Sequence, residues 1–363
     1  MRTTAILGCC LSFLGCGGSG SSGPAGGQPA AVAPADGRCA LTPHMLVSQS
    51  SLPGVSDSGS VTVSVDTLVA GPSNLYYVVD VLQVGVIMSV YTAGSLMSVP
   101  LAGGASTMLA SGYLFGVPVL TATSLLVPEL NAYPNQGTTG IVSFPLVGGP
   151  ATTIVDSGFV GSPTSLATDG TNLYFADDNG IQIAPISPAA DAGTSSTMIA
   201  PGMTECVGVF GQRLLFVEPP GDVKTIPLPA QPGAVPTVIG TSDPGAYDLF
   251  ACGSDACWID DGAGAVARID PAGGTVTRLF TPETARFAVF DGAHFFVMIS
   301  AMSQGEVTGA TSLVRMDADG THPSVLVTMP RGNALAVDDE CVYWSNPAGV
   351  FSLAKSAQGP ISQ

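Results

Sequence analysis

The stretch 169–186, DGTNLYFADDNGIQIAPI, has a counterpart at 338–355, DDECVYWSNPAGVFSLAK. Both run as an acidic turn, an apolar-aromatic triplet, a polar loop and a second apolar run. A pattern that returns at fixed spacing limits the fold more than any bulk property. Each copy is one unit that cannot bury its own faces and must stack on its neighbours. Seven triplets carry the pattern: Leu75-Tyr76-Tyr77, Leu125-Leu126-Val127, Leu173-Tyr174-Phe175, Leu214-Leu215-Phe216, Cys257-Trp258-Ile259, Phe295-Phe296-Val297 and Val342-Tyr343-Trp344. Their mean spacing is about 44 residues, room for four short strands and their turns.

In the third copy the strands read as 165–168, 173–176, 181–186 and 197–200. Asp169-Gly170-Thr171-Asn172 supplies the turn chemistry between the first two. The third and fourth strands are joined by glycine-rich turns that echo through the chain: PLAGGASTML from Pro100, PLVGGPATTI from Pro145, DPAGGTVTRL from Asp270 and DADGTHPSVL from Asp317. The last copy stops near Lys355 without a fourth strand. The missing strand is at the other end, where His44-Met45-Leu46-Val47-Ser48 matches Thr107-Met108-Leu109-Ala110-Ser111. The expectation is an all-β propeller over residues 39–356, of four-stranded blades, with the ring closed by an N-terminal strand. Closure also removes an open sheet edge. Residues 357–363 are read as a C-terminal tail.

Cys341-Val342-Tyr343-Trp344-Ser345-Asn346 resembles the Tyr-Trp-Thr-Asp signature of one propeller superfamily, and Asp317-Ala318-Asp319-Gly320 resembles the turn between its strands. The chain thus resembles the YWTD/NHL/gluconolactonase-like propellers over roughly residues 40–355. That resemblance implies six blades, whereas the triplets number seven. Either the blade count differs or one copy, the second, is irregular. The resemblance implies a fold and no single activity, since propellers host many.

The N-terminus is a targeting segment. Arg2 precedes an apolar run, AILGCCLSFLG, too short to span a bilayer. It ends in Phe13-Leu14-Gly15-Cys16, which resembles a bacterial lipobox with Cys16 as the lipidated residue. Phe13 departs from the preferred leucine. Ile6-Leu7-Gly8-Cys9 fits the letters better but has almost no apolar region before it, and an ordinary signal peptide cut nearby is the alternative. Residues 1–16 are read as a lipoprotein signal peptide, and 17–38, made of Gly, Ser, Pro and Ala, as a flexible tether. The chain is then expected in the bacterial cell envelope, held to the outer membrane or the periplasmic face by lipid alone.

Export places the remaining cysteines in an oxidising compartment. Cys252 and Cys257 flank a tight turn. Cys39 and Cys341 each lie just before a strand of the last blade, so two bridges are expected, Cys252–Cys257 and Cys39–Cys341, with Cys206 left as a buried thiol. The net charge is −17, with only 10 Lys and Arg. Nucleic acid is excluded as a partner, because phosphates need cations to neutralise them.

No nucleophile elbow or phosphate loop occurs. His44, His294 and His322 are the only histidines, and none is paired at ligand spacing. The run 75–91 carries Asp80, Gln83 and Gly85 and reads as a long strand with an elaborated loop, not a membrane span. Asp80, Glu129, Asp177, Asp178, Glu218, Asp222, Asp260, Asp261 and Glu306 all fall between the second and third strands of their blades. If they converge at one mouth of the channel, Asp177, Asp178, Asp260, Asp261, Glu218 and Asp222 form a carboxylate set suited to Ca²⁺. The functional expectation is a non-catalytic binding scaffold for a protein or glycan, needing no cofactor. Residues 78–94, 128–140 and 298–311 would supply adaptable loops. The alternative is a metal-dependent hydrolase of lactones or esters, in which Ca²⁺ or a similar cation would sit among those carboxylates.

Overall fold

The computed structural model describes residues 39–53, 61–83, 90–130, 140–156, 165–177, 179–187, 196–243, 245–260, 263–279, 284–303 and 306–362. Apart from one 3-10 turn, Gln49–Ser51, the regular structure there is all strand.

Strand β1 (His44–Ser48) comes first. Blade 1 holds β2 (Val61–Ala70), β3 (Asn74–Gln83), β4 (Val90–Pro100) and β5 (Thr107–Phe115). Blade 2 holds β6 (Val119–Leu120), β7 (Ser124–Leu130), β8 (Gly140–Pro145) and β9 (Thr152–Val155). Blade 3 has β10 (Ser165–Thr168), β11 (Asn172–Asp177), β12 (Gly180–Pro185) and β13 (Thr197–Pro201). Blade 4 has β14 (Cys206–Phe210), β15 (Arg213–Glu218), β16 (Asp222–Pro227) and β17 (Thr237–Thr241). Blade 5 has β18 (Ala246–Cys252), β19 (Asp255–Asp260), β20 (Ala265–Ile269) and β21 (Thr277–Leu279). Blade 6 has β22 (Thr284–Phe290), β23 (His294–Ser303), β24 (Glu306–Asp317) and β25 (Ser324–Met329). Blade 7 has β26 (Ala334–Val337), β27 (Cys341–Asn346) and β28 (Gly349–Ala354), and a final strand is β29 (Ile361–Ser362).

Each blade is an antiparallel meander, and β1 completes blade 7 by pairing with β28. The first strands of blades 2 to 7 touch in succession, β26 touches β2, and β5 pairs with β7, so the ring is closed with the first strands innermost. The molecule is a seven-bladed propeller. The second blade is the irregular one. Its β6 has two residues, and the end of β5 pairs with β7, so blades 1 and 2 form one continuous sheet. The tail is not loose: β29 adds to β25 in parallel, and Ala357 is buried among Trp344, Phe351 and Leu326.

The triplets are apolar on both faces because every blade is covered on both faces. Leu173 and Phe175 pack toward blade 2 with Leu126 and Ile141, while Tyr174 packs toward blade 4 with Leu214 and Phe216. The buried residues sort into seven clusters, one for each seam between blades. Outer strands follow a second rule. In six blades one residue of the outer strand is bulged: Leu46, Leu109, Ile154, Ile199, Ile239 and Leu326. A bulge lets two successive side chains face the same way. That is why these strands carry an apolar pair such as Ile199-Ala200, buried together.

The acidic turn before the triplets of blades 3, 6 and 7 is also explained. Asp169 Oδ1 accepts the N–H groups of Thr171 and Asn172 at 2.8 and 2.7 Å, and Oδ2 accepts the Tyr174 hydroxyl at 2.8 Å. Asp338 repeats this with Glu340, Cys341 and the hydroxyl of Tyr343. Burial pushes the Asp169 carboxyl up, but the Asn172 and Thr171 N–H groups and the Tyr174 hydroxyl outweigh it and hold it below the ordinary value. A depressed folded pKa gives stability that is present above the unfolded value and lost as pH falls through the folded one. Asp338→Ala is expected to cost about 1–2 kcal/mol in a urea melt at pH 7, and the cost of Asp169→Ala shrinks below about pH 4. A penalty for Asp169→Ala that is unchanged at pH 3 would contradict this account.

Candidate binding face

The side of the ring that carries the connections between second and third strands is called upper here. On it, blades 3, 4 and 7 have short hairpins of six-residue strands. Blades 1 and 6 differ. β3 and β4 run for 10 and 11 residues, and β23 and β24 for 10 and 12. Four extra residues add roughly 13 Å of strand. Segments 78–94 and 298–311, expected as loops, are therefore largely paired ladders, out to Gln83↔Val90 and Ser303↔Glu306. Blade 1 and blade 6 are the two neighbours of blade 7, whose own hairpin closes tightly at Asn346↔Gly349. Two prongs thus flank the blade that closes the ring.

The inner strands below these prongs are distorted. β2 and β22 carry bulges at Asp66 and Arg286; β18 of the neighbouring blade 5 is also bulged, at Asp248-Leu249, where Asp248 takes the left-handed φ of +54°. The Asp66 bulge sits at the base of the blade 1 prong. Asp66 Oδ2 accepts the Ser64 hydroxyl at 2.8 Å, and Ser64 stands directly opposite Asp80 in the ladder, which sets the two carboxyls side by side. Asp80 Oδ1 is sealed from solvent with no hydrogen-bond partner. Burial, then the charge of Asp66, pushes the Asp80 carboxyl up to about 7. Asp66 is also raised by burial, against the pull of Ser64 and of Arg331 from the loop leading into blade 7. Beside it, the Ser345 hydroxyl donates to the Val65 carbonyl at 2.7 Å, tying blade 7 to blade 1. Neither Asp66 nor Arg331 stands out in the sequence. Their meeting depends on a bulge and on ring closure.

Of the carboxylates expected at the mouth, Asp177, Glu218, Asp222 and Asp260 lie at upper hairpin ends, and Asp177, Glu218 and Asp260 are engaged locally. Asp177 is buried and accepts the N–H groups of Asn179 and Gly180 at 2.8 and 3.0 Å. Glu218 and Asp222 stand opposite each other across the blade 4 hairpin, with Glu218 ion-paired to Lys224. Asp260 is fully buried, and its Oδ2 takes Arg278 Nε at 2.9 Å, while Arg278 Nη2 reaches Asp243. Asp178, Asp261 and Cys16 lie outside the described residues. Among the described residues no three His, Cys, Asp or Glu side chains gather in a metal-sized group. The reading missed Glu205, which burial pushes above its ordinary pKa and whose Oε2 is sealed off without a partner.

The lower side carries the disulfides. Cys39–Cys341 and Cys252–Cys257 are both formed, each with Cα atoms 5.9 Å apart, and Cys206 is a buried thiol outside both bridges. The second bridge is diagonal: Cys252 pairs in register with Asp255, and Cys257 with Phe250. His294 and His322 also lie on this side, with Asp317 between them, 2.8 Å from His322 Nδ1 and 3.9 Å from His294 Nε2.

No protein-family model matches the chain, and no curated protein does. Solved structures do. A chain of a mitotic checkpoint complex aligns with TM-score 0.58 at 10% identity, covering 92% of this chain and 99% of that one. A prolyl endopeptidase structure aligns with TM-score 0.52 at 12% identity, over 78% of this chain and 46% of that one. The computationally designed Ika8 protein aligns with TM-score 0.50 at 12% identity, over 85% and 99%. At such identities the likeness is one of fold.

Proposed function

We propose that this chain is an exported, lipid-tethered propeller that binds a protein or glycan partner through its upper face and catalyses no reaction. The two prongs on blades 1 and 6 carry this reading. They are the feature that departs from the repeat, and departures from a repeat on one face mark where a solenoid or ring is put to use. The polarity of the molecule agrees. Cys39, where the tether ends, is fixed to the lower side by Cys341, and Ala354 N–H donates to the Ala40 carbonyl there. A chain anchored through residues 17–38 would hold the prongs away from the membrane.

The rival hydrolase reading needs carboxylates free to share a cation. Asp177, Glu218 and Asp260 are held by loop amides, Lys224 and Arg278, which supports a scaffold that needs no Ca²⁺. The thermal midpoint is expected to be the same in Ca²⁺ and in chelator. A rise with Ca²⁺ that Asp260→Asn removes would favour the hydrolase. Two further measurements test the main proposal. Cys16→Ala should move the protein from the membrane to the soluble fraction; unchanged attachment and unchanged mass would overturn the anchor. Cutting the blade 6 hairpin back to the length of blade 3 should leave the melt intact and abolish capture of the partner that the full-length protein enriches. Undiminished capture would place the binding surface elsewhere.

A further inference from the structure

We propose that the Asp66–Asp80 pair is a proton-operated clasp at the seam between blades 7 and 1, tight in mild acid and loosened at neutral pH and above. It stands independently of the binding reading.

Three observations place it at the seam. Asp66 is the bulged residue of β2, so its side chain leaves the ladder register. The neighbouring carbonyl, Val65, takes the Ser345 hydroxyl from blade 7. β2 packs on both β26 and β27. Asp66 holds the Ser64 hydroxyl and Ser64 lies directly opposite Asp80, so the two carboxyls crowd one spot, where a single shared proton removes their like-charge repulsion. Among the described residues one compensating charge acts on the pair. Arg331 acts on Asp66, and on the other side of β3 the residue opposite Asp80 is Gly94, which has no side chain. β26 reads Ala-Leu-Ala-Val and carries no ionisable group. In β27, Cys341 is bridged and the Tyr343 hydroxyl is committed to Asp338. With one proton the pair carries one negative charge against Arg331. Without it, two negative charges face one positive charge, and Asp80 Oδ1 is sealed from solvent without a protein donor.

The sign follows from linkage. A carboxyl whose folded pKa is raised binds its proton more tightly in the native state, so stability falls as pH rises from the unfolded value toward the folded one. For Asp80 that window runs from about 4 to about 7. This is opposite to the turn aspartates such as Asp169, whose stabilisation is lost in acid.

The test compares the full chain with Asp80→Asn and Asp66→Asn, by thermal midpoint and amide hydrogen exchange at pH 5 and pH 7.5. Asparagine supplies a donor without a charge. Asp80→Asn is expected to raise the midpoint at pH 7.5, relative to its effect at pH 5, by on the order of 3 °C or more. Wild-type peptides from β2 and β27 should lose protection between pH 5 and 7.5 beyond the intrinsic rate change, while β11 and β15 peptides do not, and the variant should abolish that loss. Should Asp80→Asn fail to fold, Asp66→Asn reads the same pair from its other side. A midpoint difference between wild type and variant that is the same at both pH values, or seam protection that tracks blades 3 and 4, would overturn the clasp.

Discussion

Replacing Cys39 and Cys341 together by serine lowers the thermal midpoint by roughly 5–10 °C, whereas the same change at Cys252 and Cys257 costs far less. Both bridges have relaxed Cα separations of 5.9 Å, so the contrast comes from the loops they close, with sequence separations of 302 and 5. On the chain-entropy account the long loop is worth about 5 kcal/mol and the short one about 2. The long bridge also holds the start of β1 against blade 7. Its loss should expose β1 first, as limited proteolysis near residues 44–48 would show. Equal midpoints for the two double variants would mean that β1 is held by its ladder and by Leu46 and Val47 in the seam core, and that the bridge adds nothing.

Gly349→Ala is expected to cost about 3 kcal/mol or more. Gly349 opens β28 with φ of +144°, and a Cβ there would lie 2.0 Å from the Val47 carbonyl oxygen of β1. Gly180 and Gly221 hold the same place in blades 3 and 4, with the facing carbonyl at 2.1 and 2.2 Å. The third strand of a blade thus begins where the outer strand's backbone passes closest. Gly211→Ala is the control. Gly211 has φ of +57° and nothing within 4 Å of an added Cβ, so it should lose only about 1 kcal/mol. Similar losses at both positions in urea melts would remove the close approach as the cause.

The blades were legible because each triplet is buried on both faces and so shows as an unbroken apolar run. The closing strand was legible for a related reason: His44–Ser48 repeats the outer-strand pattern of Thr107–Phe115. The bulge behind that pattern was not, since it changes register without changing letters. The blade 1 prong was legible in part, as a long strand with an elaborated loop over 75–91, but how far pairing runs in 78–94 and 298–311 was not, because these segments mix glycine, serine and threonine with apolar residues and no periodicity marks where pairing ends. The carboxylates were placed at the right hairpin ends. Their convergence was an assumption about side-chain direction, and Asp177, which turns back onto its own loop, shows why spacing alone does not carry that information. The Asp66–Asp80 contact was out of reach for the same reason, and Arg331 joins it only once the ring has closed.

The strand that fastens the ring is synthesised before any of the blades, and its partner β28 only after six of them. Through the synthesis of six blades β1 has no ladder to join, and Leu46 and Val47 have no seam to fill. Assembly therefore cannot finish in the order of translation. It must wait for a single late event that joins residues about 300 positions apart, with a slow search to match. Until then, one face of blade 1 and one of blade 7 stay uncovered. For such a chain the hazardous interval is the wait before closure, when two incomplete copies could lend each other the missing strand and emerge as an exchanged dimer.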